Sequence, residues 1–126
     1  MLFSAHFATM GCSIPGAIAA KLANPKRQVF SIAGDGALSM VMQDLVTERK
    51  YHLPIINVVT TNDSTNYIKS QQANLSMKYF GVGLTGQNFK MIANGMGVKI
   101  TARTSSAICE GPPIVRKYEL DYNPIT

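Results

Sequence analysis

The chain has 126 residues, of which 46% are hydrophobic, and this fits a single globular domain, residues 1–126, and excludes a disordered chain. Its twelve Lys and Arg residues outnumber seven Asp and Glu, but they are scattered along the sequence, which argues against a nucleic-acid-binding face and allows a small polyanion such as a diphosphate. No apolar run is long enough for a membrane span, and Cys12 and Cys109 form neither a zinc nor a disulfide pattern, so we expect a soluble, cytoplasmic protein.

The first predicted element is a slim helix. Ser13 is a typical helix start, Ile14, Ile18 and Leu22 fall on one apolar stripe, and Asn24 precedes a proline that stops the helix. Glycine and alanine fill much of the remaining surface. We expect such a helix to pack close to a sheet or to a neighbouring subunit.

A strand, a helix and a second strand follow in that order. Residues 28–33 are a short β-prone run ending in a Gly-Asp-Gly turn, residues 38–50 repeat apolar side chains at helical spacing, and residues 54–61 resemble a buried strand. A βαβ unit of this kind places its strands parallel, with their carboxyl ends at one edge of the sheet. The fold class predicted is therefore α/β, an open, mostly parallel sheet flanked by helices.

The second half of the chain is predicted in less detail. We expect a helix over residues 67–72, a glycine-rich loop, and a helix capped by Asn88 that runs through Ile92. Strands follow at residues 98–102 and 114–120. Charged residues in the last strand favour a sheet edge, and the stretch 101–113 is at the lower limit for a parallel crossover.

Polar residues at the two strand ends indicate a metal and diphosphate site. Gly34-Asp35-Gly36 lies where a strand turns into a helix, and glycine there permits close approach of a ligand. Asp35 offers a hard anionic oxygen, Asn62 an amide oxygen and Ser64 a backbone carbonyl, which suit Mg²⁺. Taken singly, Asp35 could instead be a helix N-cap and Asn62 a turn residue.

The spacing and the neighbouring sequence carry a family resemblance. The Gly-Asp-Gly turn is followed after 25 residues by Asn62, and the run from Phe7 to Asn62 resembles flavin-containing pyruvate oxidases that use phosphate and oxygen. The resemblance implies that Met10 supports thiamine diphosphate, whose aminopyrimidine ring contacts the backbone of Met10 and Ala8. It also implies that Gly34, Asp35, Gly36 and Ala37 hold the diphosphate and that Asp35, Asn62 and Ser64 hold magnesium. Without the resemblance, Met10 would be interpreted as a core residue.

Some positions depart from the family pattern. The family pattern usually ends in two asparagines, and here the second of them is replaced by Asp63. Tyr67 and Ile68 lie at positions that bind cofactor in the family, and Tyr67 matches the aromatic position that faces the flavin in the oxidases. A glutamate of the active site corresponds to Gln71, which cannot exchange a proton. The candidate catalytic residues are thus Met10 and Gln71. The histidines His6 and His52 have no partner pattern and are interpreted as surface or packing residues.

The resemblance implies an activity for a larger protein. A complete enzyme would convert pyruvate, phosphate and oxygen to acetyl phosphate, carbon dioxide and hydrogen peroxide with thiamine diphosphate, Mg²⁺ and FAD. Its activating glutamate and its flavin would come from an amino-terminal domain and a flavin domain, so we expect this chain to be part of a multidomain homo-oligomer and inactive alone. The alternatives are another thiamine-dependent enzyme, such as an acetolactate synthase, and a non-catalytic binding module.

Overall fold

Helices and strands alternate in the computed structural model, which describes residue 4 and residues 6–98, 100–104 and 116–120. The elements, in chain order, are α1 (Ser13–Ala23), β1 (Val29–Gly34), α2 (Asp35–Val41), α3 (Asp44–Lys50), β2 (Ile55–Thr60), α4 (Asn66–Asn74), α5 (Phe89–Gly95), β3 (Ile100–Thr104) and β4 (Arg116–Leu120). None of the helices in these ranges is long and apolar enough to cross a bilayer.

The predicted βαβ unit is present. Strands β1 and β2 pair in parallel from Val29 opposite Ile55 to Gly34 opposite Thr60, so both chains leave the sheet at the same edge. The α/β class is confirmed. The single helix predicted between the strands is broken into α2 and α3, because Leu45 and Val46 donate to carbonyls only three residues back, at distances of 3.1 Å, which closes a tight turn at Met42.

The other strand pairs are antiparallel. The sheet order is β1-β2-β4-β3, and β4 runs antiparallel to both of its neighbours. Three details were therefore wrong within the described residues: the sheet is not mostly parallel, the last strand is not at an edge, and the stretch 101–113 does not make a parallel crossover. An antiparallel pair needs no crossover helix, so the short connection between β3 and β4 is sufficient.

The hydrophobic core lies on one face of the sheet. Alternate residues of β1 and β2, with Ala33 opposite Val59, point to this face and pack against Ile14 of α1, Leu38 of α2 and side chains of α3 and α5. On the opposite face Phe30 and Ile32 are exposed. The described helices that contribute to the core therefore cover the sheet from one side.

Helix α1 is held by its own sheet. Its bounds match the prediction, ending before Asn24, and Ile14 is fully buried while Ala17 is 6% exposed. The helix packs on β1, α2, α3 and β2. Of its predicted apolar stripe, Leu22 alone is mostly exposed. Of the two neighbours expected for this helix, a sheet or another subunit, the described residues show the sheet.

Helix α5 begins as the sequence predicts. The Asn88 side chain accepts a hydrogen bond from the Met91 backbone N–H at 3.0 Å, which is a standard N-cap contact. Phe89 and Ala93 of this helix are buried in the core. At its other end, the Arg49 guanidinium of α3 donates to the Met96 carbonyl and lies over Gly97, joining α3 to the end of α5.

Candidate cofactor and metal site

The carboxylate of Asp35 joins the carboxyl ends of β1 and β2. Asp35 begins α2 and is 6% exposed. Its Oδ1 accepts from the Gly36 N–H at 2.8 Å, and its Oδ2 accepts from the backbone N–H groups of Asn62 and Asp63 at 2.9 and 2.7 Å. The Gly-Asp-Gly turn and the asparagine 25 residues later, far apart in sequence, are thus joined by direct hydrogen bonds in the fold.

The hydrogen bonds of this carboxylate leave room for one cation. A carboxylate has about four lone-pair directions, two on each oxygen. Two N–H groups occupy Oδ2 of Asp35, whereas one occupies Oδ1. The remaining direction on Oδ1 fits a single-oxygen contact to a hard cation such as Mg²⁺, which takes few ligands from the protein and the rest from phosphate and water.

The two other oxygens predicted to bind the metal, the Asn62 amide oxygen and the Ser64 carbonyl, are neutral. Within the described ranges no group of three His, Cys, Asp or Glu side chains could hold a metal alone. The Asn62 Oδ1 accepts from the Ser64 N–H at 3.1 Å, so the amide is oriented by the turn that it closes. A set of one carboxylate and neutral oxygens fits a cation whose charge is largely balanced by a diphosphate, and it does not fit a zinc site.

A second segment fixes the loop after β2. Asp63 has a left-handed backbone with φ 52°, and its carbonyl accepts from the Leu84 N–H at 2.9 Å. The Val82 carbonyl accepts from the Thr65 N–H at 2.9 Å and from the Ser64 hydroxyl at 3.0 Å. Ser64 and Gly83 also form an antiparallel bridge. These contacts, which we call the 82–84 strap, hold the loop that carries the candidate metal oxygens.

Apolar side chains flank the start of α2. A Cβ placed on Gly36 would lie 3.2 Å from Leu84 Cδ1 and 3.5 Å from Met10 Cε, so any side chain at residue 36 would enter the space between them. Met10 is half-exposed and is brought here from the loop before α1. The two side chains and the glycine form a shallow apolar cradle beside Asp35, where a flat ring could rest.

The loop before α1 is held by glycine and by a turn. Gly11 has φ +85°, and a Cβ there would lie 2.8 Å from Val41 Cγ1, so the loop can approach α2 only because this residue is glycine. Ala8 also has positive φ, and its N–H donates to the Ser4 carbonyl at 3.1 Å. A contact from Ala8 to a cofactor would therefore use its carbonyl. Phe7 in the same loop is 88% exposed.

The remaining predicted residues divide into two groups. We call Asp35 and the backbone groups that it accepts from, those of Gly36, Asn62 and Asp63, the Asp35 corner. Gly34 ends β1 next to this corner, and Ala37 on its other side is half-buried against the core. Tyr67, Ile68 and Gln71 are exposed on α4, a helix with no buried residue. No hydrogen bond among the described residues joins these three side chains to Asp35.

Several residues at the site were not predicted from the sequence. Leu84 and the 82–84 strap follow a long excursion through α4, and nothing in the local pattern pairs them with residues 63–65. Ser39 was also not predicted: its single hydroxyl hydrogen is shared between the Asp35 carbonyl, at 2.6 Å, and the Gln87 side-chain oxygen, which ties α2 to the loop before α5. The spacing of four residues from Asp35 is the one available signal, since a helical serine often donates to that carbonyl.

The fold and this corner correspond to a known domain family. Residues 1–118 match the family described as thiamine pyrophosphate enzyme, C-terminal TPP binding domain. The match covers nearly the whole chain. The chain belongs to this family, and the Asp35 corner lies within the matched region.

Individual relatives are consistent with that assignment. The chain is 55% identical over 91 residues, 71% of its length, to a pyruvate oxidase of Lactiplantibacillus plantarum, and covers 15% of that protein. It is 51% identical over 71 residues to the putative thiamine pyrophosphate-containing protein YdaP of Bacillus subtilis. It is 34% identical over 100 residues, 78% of its length, to the large subunit of acetolactate synthase isozyme 1 of Escherichia coli. The chain spans between 12% and 18% of these relatives.

Proposed function

We propose that residues 1–126 form one domain that binds thiamine diphosphate and Mg²⁺ as part of a pyruvate oxidase. The observation that carries the proposal is the buried Asp35 carboxylate, held by the N–H groups of Asn62 and Asp63 with one lone-pair direction left on Oδ1. Family membership supports the cofactor, and the higher identity to a pyruvate oxidase than to an acetolactate synthase supports the reaction.

Each residue of the corner has a role in this proposal. Asp35 Oδ1, Asn62 Oδ1 and the Ser64 carbonyl would hold Mg²⁺, while Gly34, Gly36 and Ala37 leave space for the diphosphate. Met10 and Leu84 would support the rings, and the backbone of Met10 and Ala8 would contact the aminopyrimidine. Thiamine diphosphate held by these residues would supply the carbanion chemistry that a reaction at the pyruvate carbonyl needs.

The protein groups bind and orient rather than transfer protons. Gln71 has no titratable proton, so it can only donate or accept a hydrogen bond to substrate. Tyr67 and Ile68, exposed on α4, would face FAD or a partner domain. We infer that the complete protein is a cytoplasmic homo-oligomer with amino-terminal and flavin domains, acting on pyruvate and phosphate.

Binding to the chain tests the cofactor assignment directly. Titration calorimetry with thiamine diphosphate should give heat that requires Mg²⁺, and Asp35→Asn should abolish it while circular dichroism shows an intact fold. Asp44→Asn is the matched control, since it removes the same charge from α3, away from the corner. Equal binding by Asp35→Asn and the unchanged chain, or the absence of Mg²⁺-dependent heat in the unchanged chain, would contradict the assignment.

The second candidate reaction is that of an acetolactate synthase, favoured by the 34% identity over 78% of the chain. Products separate the two reactions. With pyruvate, phosphate and oxygen supplied to the complete protein, a pyruvate oxidase forms acetyl phosphate and peroxide, whereas a synthase forms acetolactate from pyruvate alone. A non-catalytic module would form neither, and it need not bind thiamine diphosphate.

A further inference from the structure

The interior of the βαβ unit holds a carboxyl group and an amide in contact. Glu48 of α3 and Asn57 of β2 are 4% and 1% exposed, so the described residues alone exclude solvent from both side chains. The Asn57 side-chain N–H donates to Glu48 Oε2 at 2.8 Å. The other oxygen of each group, Glu48 Oε1 and Asn57 Oδ1, is buried without a hydrogen-bond partner in the described part of the chain. One buried contact thus leaves two oxygen atoms unpaired, one on each side.

No described cation forms an ion pair with Glu48. The charged residues of α3 and of the helices that share its core are Asp44, Arg49 and Lys50 of α3, Lys21 of α1, Asp35 of α2 and Lys90 of α5. Strands β1 and β2 contain none. Lys21, the buried cation of this set, donates to the Arg27 carbonyl at 2.7 Å, and Arg49 donates to the Met96 carbonyl at 3.2 Å. An ionised Glu48 would therefore keep an uncompensated charge in the interior.

A proton on Glu48 would pair both of the remaining oxygen atoms. An ionised carboxyl offers only acceptors, so Glu48 Oε1 and Asn57 Oδ1 cannot bond to each other in that state. When Oε1 carries a proton, it can donate to Oδ1 while the Asn57 N–H continues to donate to Oε2. The two hydrogen bonds then close a ring between a neutral acid and an amide. Burial favours the same form, because it disfavours the charged state of a carboxyl.

We propose that Glu48 is a proton-binding site of the folded domain and that its acid–amide ring with Asn57 fastens α3 to β2. Burial raises the pKa of Glu48, the hydrogen bond from Asn57 lowers it and the Asp44 carboxylate raises it, and together they bring this pKa to about 7. The folded pKa thus lies above the ordinary value of about 4.3. The ring is therefore closed in acidic solution and opens as the proton leaves at neutral pH. Neither residue bonds to the Asp35 corner, so the proposal does not rest on cofactor binding.

Nuclear magnetic resonance of the 126-residue chain, labelled with carbon-13 at the glutamate carboxyls, reports this proton directly. The chain has three glutamates, Glu48, Glu110 and Glu119, and the signal that is absent from the Glu48→Gln variant belongs to Glu48. That signal should have a titration midpoint near 7, whereas a freely solvated glutamate titrates at about 4.3. A midpoint at the ordinary value would overturn the proposal, since a water molecule or a metal ion would then pair the ionised group.

The amide signals show whether Asn57 accepts this proton. In the ring, the nitrogen-15 and proton signals of the Asn57 side chain should shift with the same midpoint as the Glu48 carboxyl. Asp44→Asn is the matched control, because it removes a like charge from the same helix. The midpoint should then fall slightly while the two groups still titrate together. Asn57 signals that stay constant through the Glu48 titration would contradict the ring.

Amide hydrogen exchange in α3 tests whether the ring fastens this helix. Since an open form would expose Glu48 to water, the protection of the α3 amides, corrected for the intrinsic exchange rate, should fall up to about tenfold for each pH unit between about 5 and 7 and then level off. Glu48→Gln should remove this dependence, because its amide stays neutral, and Asp44→Asn should keep it. Protection that is independent of pH in the unchanged chain, or an equal dependence in the Glu48→Gln variant, would refute the role of the ring in holding α3.

Discussion

Replacing Glu48 by glutamine would test whether a buried proton stabilises this domain. Glu48 of α3 is 4% exposed, and its Oε2 accepts from the Asn57 side-chain N–H of β2 at 2.8 Å. Glu48 Oε1 and Asn57 Oδ1 are both buried without a hydrogen-bond partner among the described residues. Both atoms are acceptors when the carboxyl is ionised, so the pair lacks a donor that a proton on Glu48 would supply.

Burial raises the pKa of Glu48, the hydrogen bond from Asn57 lowers it and the nearby Asp44 carboxylate raises it, and together they bring this pKa to about 7. The folded pKa therefore exceeds that of the unfolded chain, about 4.3. The folded state binds the proton more tightly, so this contribution to stability is complete below about pH 4.3 and is lost as the pH rises through 7. At about 1.4 kcal/mol for each unit between the two pKa values, the loss approaches roughly 4 kcal/mol.

The Glu48→Gln variant should remove this pH dependence. Its amide can accept from Asn57 Nδ2 and donate to Asn57 Oδ1, so both partners are satisfied at every pH. Urea unfolding, followed by far-ultraviolet circular dichroism from pH 4.5 to 8.5, should show a stability difference that grows with rising pH, with the variant more stable by up to roughly 4 kcal/mol at pH 8.5. Asp44→Asn, on the same helix, should change stability much less. Parallel stability profiles for the Glu48→Gln variant and the unchanged chain, or a variant less stable at pH 8.5, would refute the reasoning.

Three other outcomes are expected. Gly11→Ala should lower the free energy of unfolding by about 1–3 kcal/mol, because the residue has positive φ and its new Cβ would overlap Val41 Cγ1. Gly16→Ala in α1 has open space around it and should raise the free energy of unfolding by up to about 1 kcal/mol, and thermal unfolding compares the two variants. Met10→Ala in the complete enzyme should reduce the turnover rate more than the cofactor affinity, and equal losses in kinetics and calorimetry would favour a core role. The isolated chain, given both cofactors, should form no acetyl phosphate or peroxide, and detection of either would show that an acid within it activates the cofactor.

The local sequence pattern was sufficient to predict the elements in the first half of the chain. The βαβ unit, the bounds of α1 and the cap at Asn88 follow from periodicity and from the residues at the element ends, which act over a few positions. The proximity of Asp35 to residue 62 followed from the parallel pairing alone. The break between α2 and α3 could not be predicted, because residues on either side continue one helical period and no glycine or proline marks the turn.

The order and direction of the later strands could not be predicted from the sequence. Strand order depends on contacts between residues far apart in the chain, so the interior place of β4 and its antiparallel direction had no local signal. The charges of that strand favoured an edge position, and tertiary pairing overrode the preference. Leu84 was missed for the same reason, since its contact with the Gly36 region exists only when the 82–84 strap has formed.

The 82–84 strap separates two parts of the domain that can change independently. Residues 63–65 and 82–84 are fastened together by backbone hydrogen bonds, and α4 lies in the loop between these two anchors with none of its residues buried. Changes in length or composition within that loop would leave the Asp35 corner in place, because both ends of the loop stay fixed. The domain is in this sense modular: the anchor for the cofactor is held by backbone hydrogen bonds that do not depend on the side chains of α4.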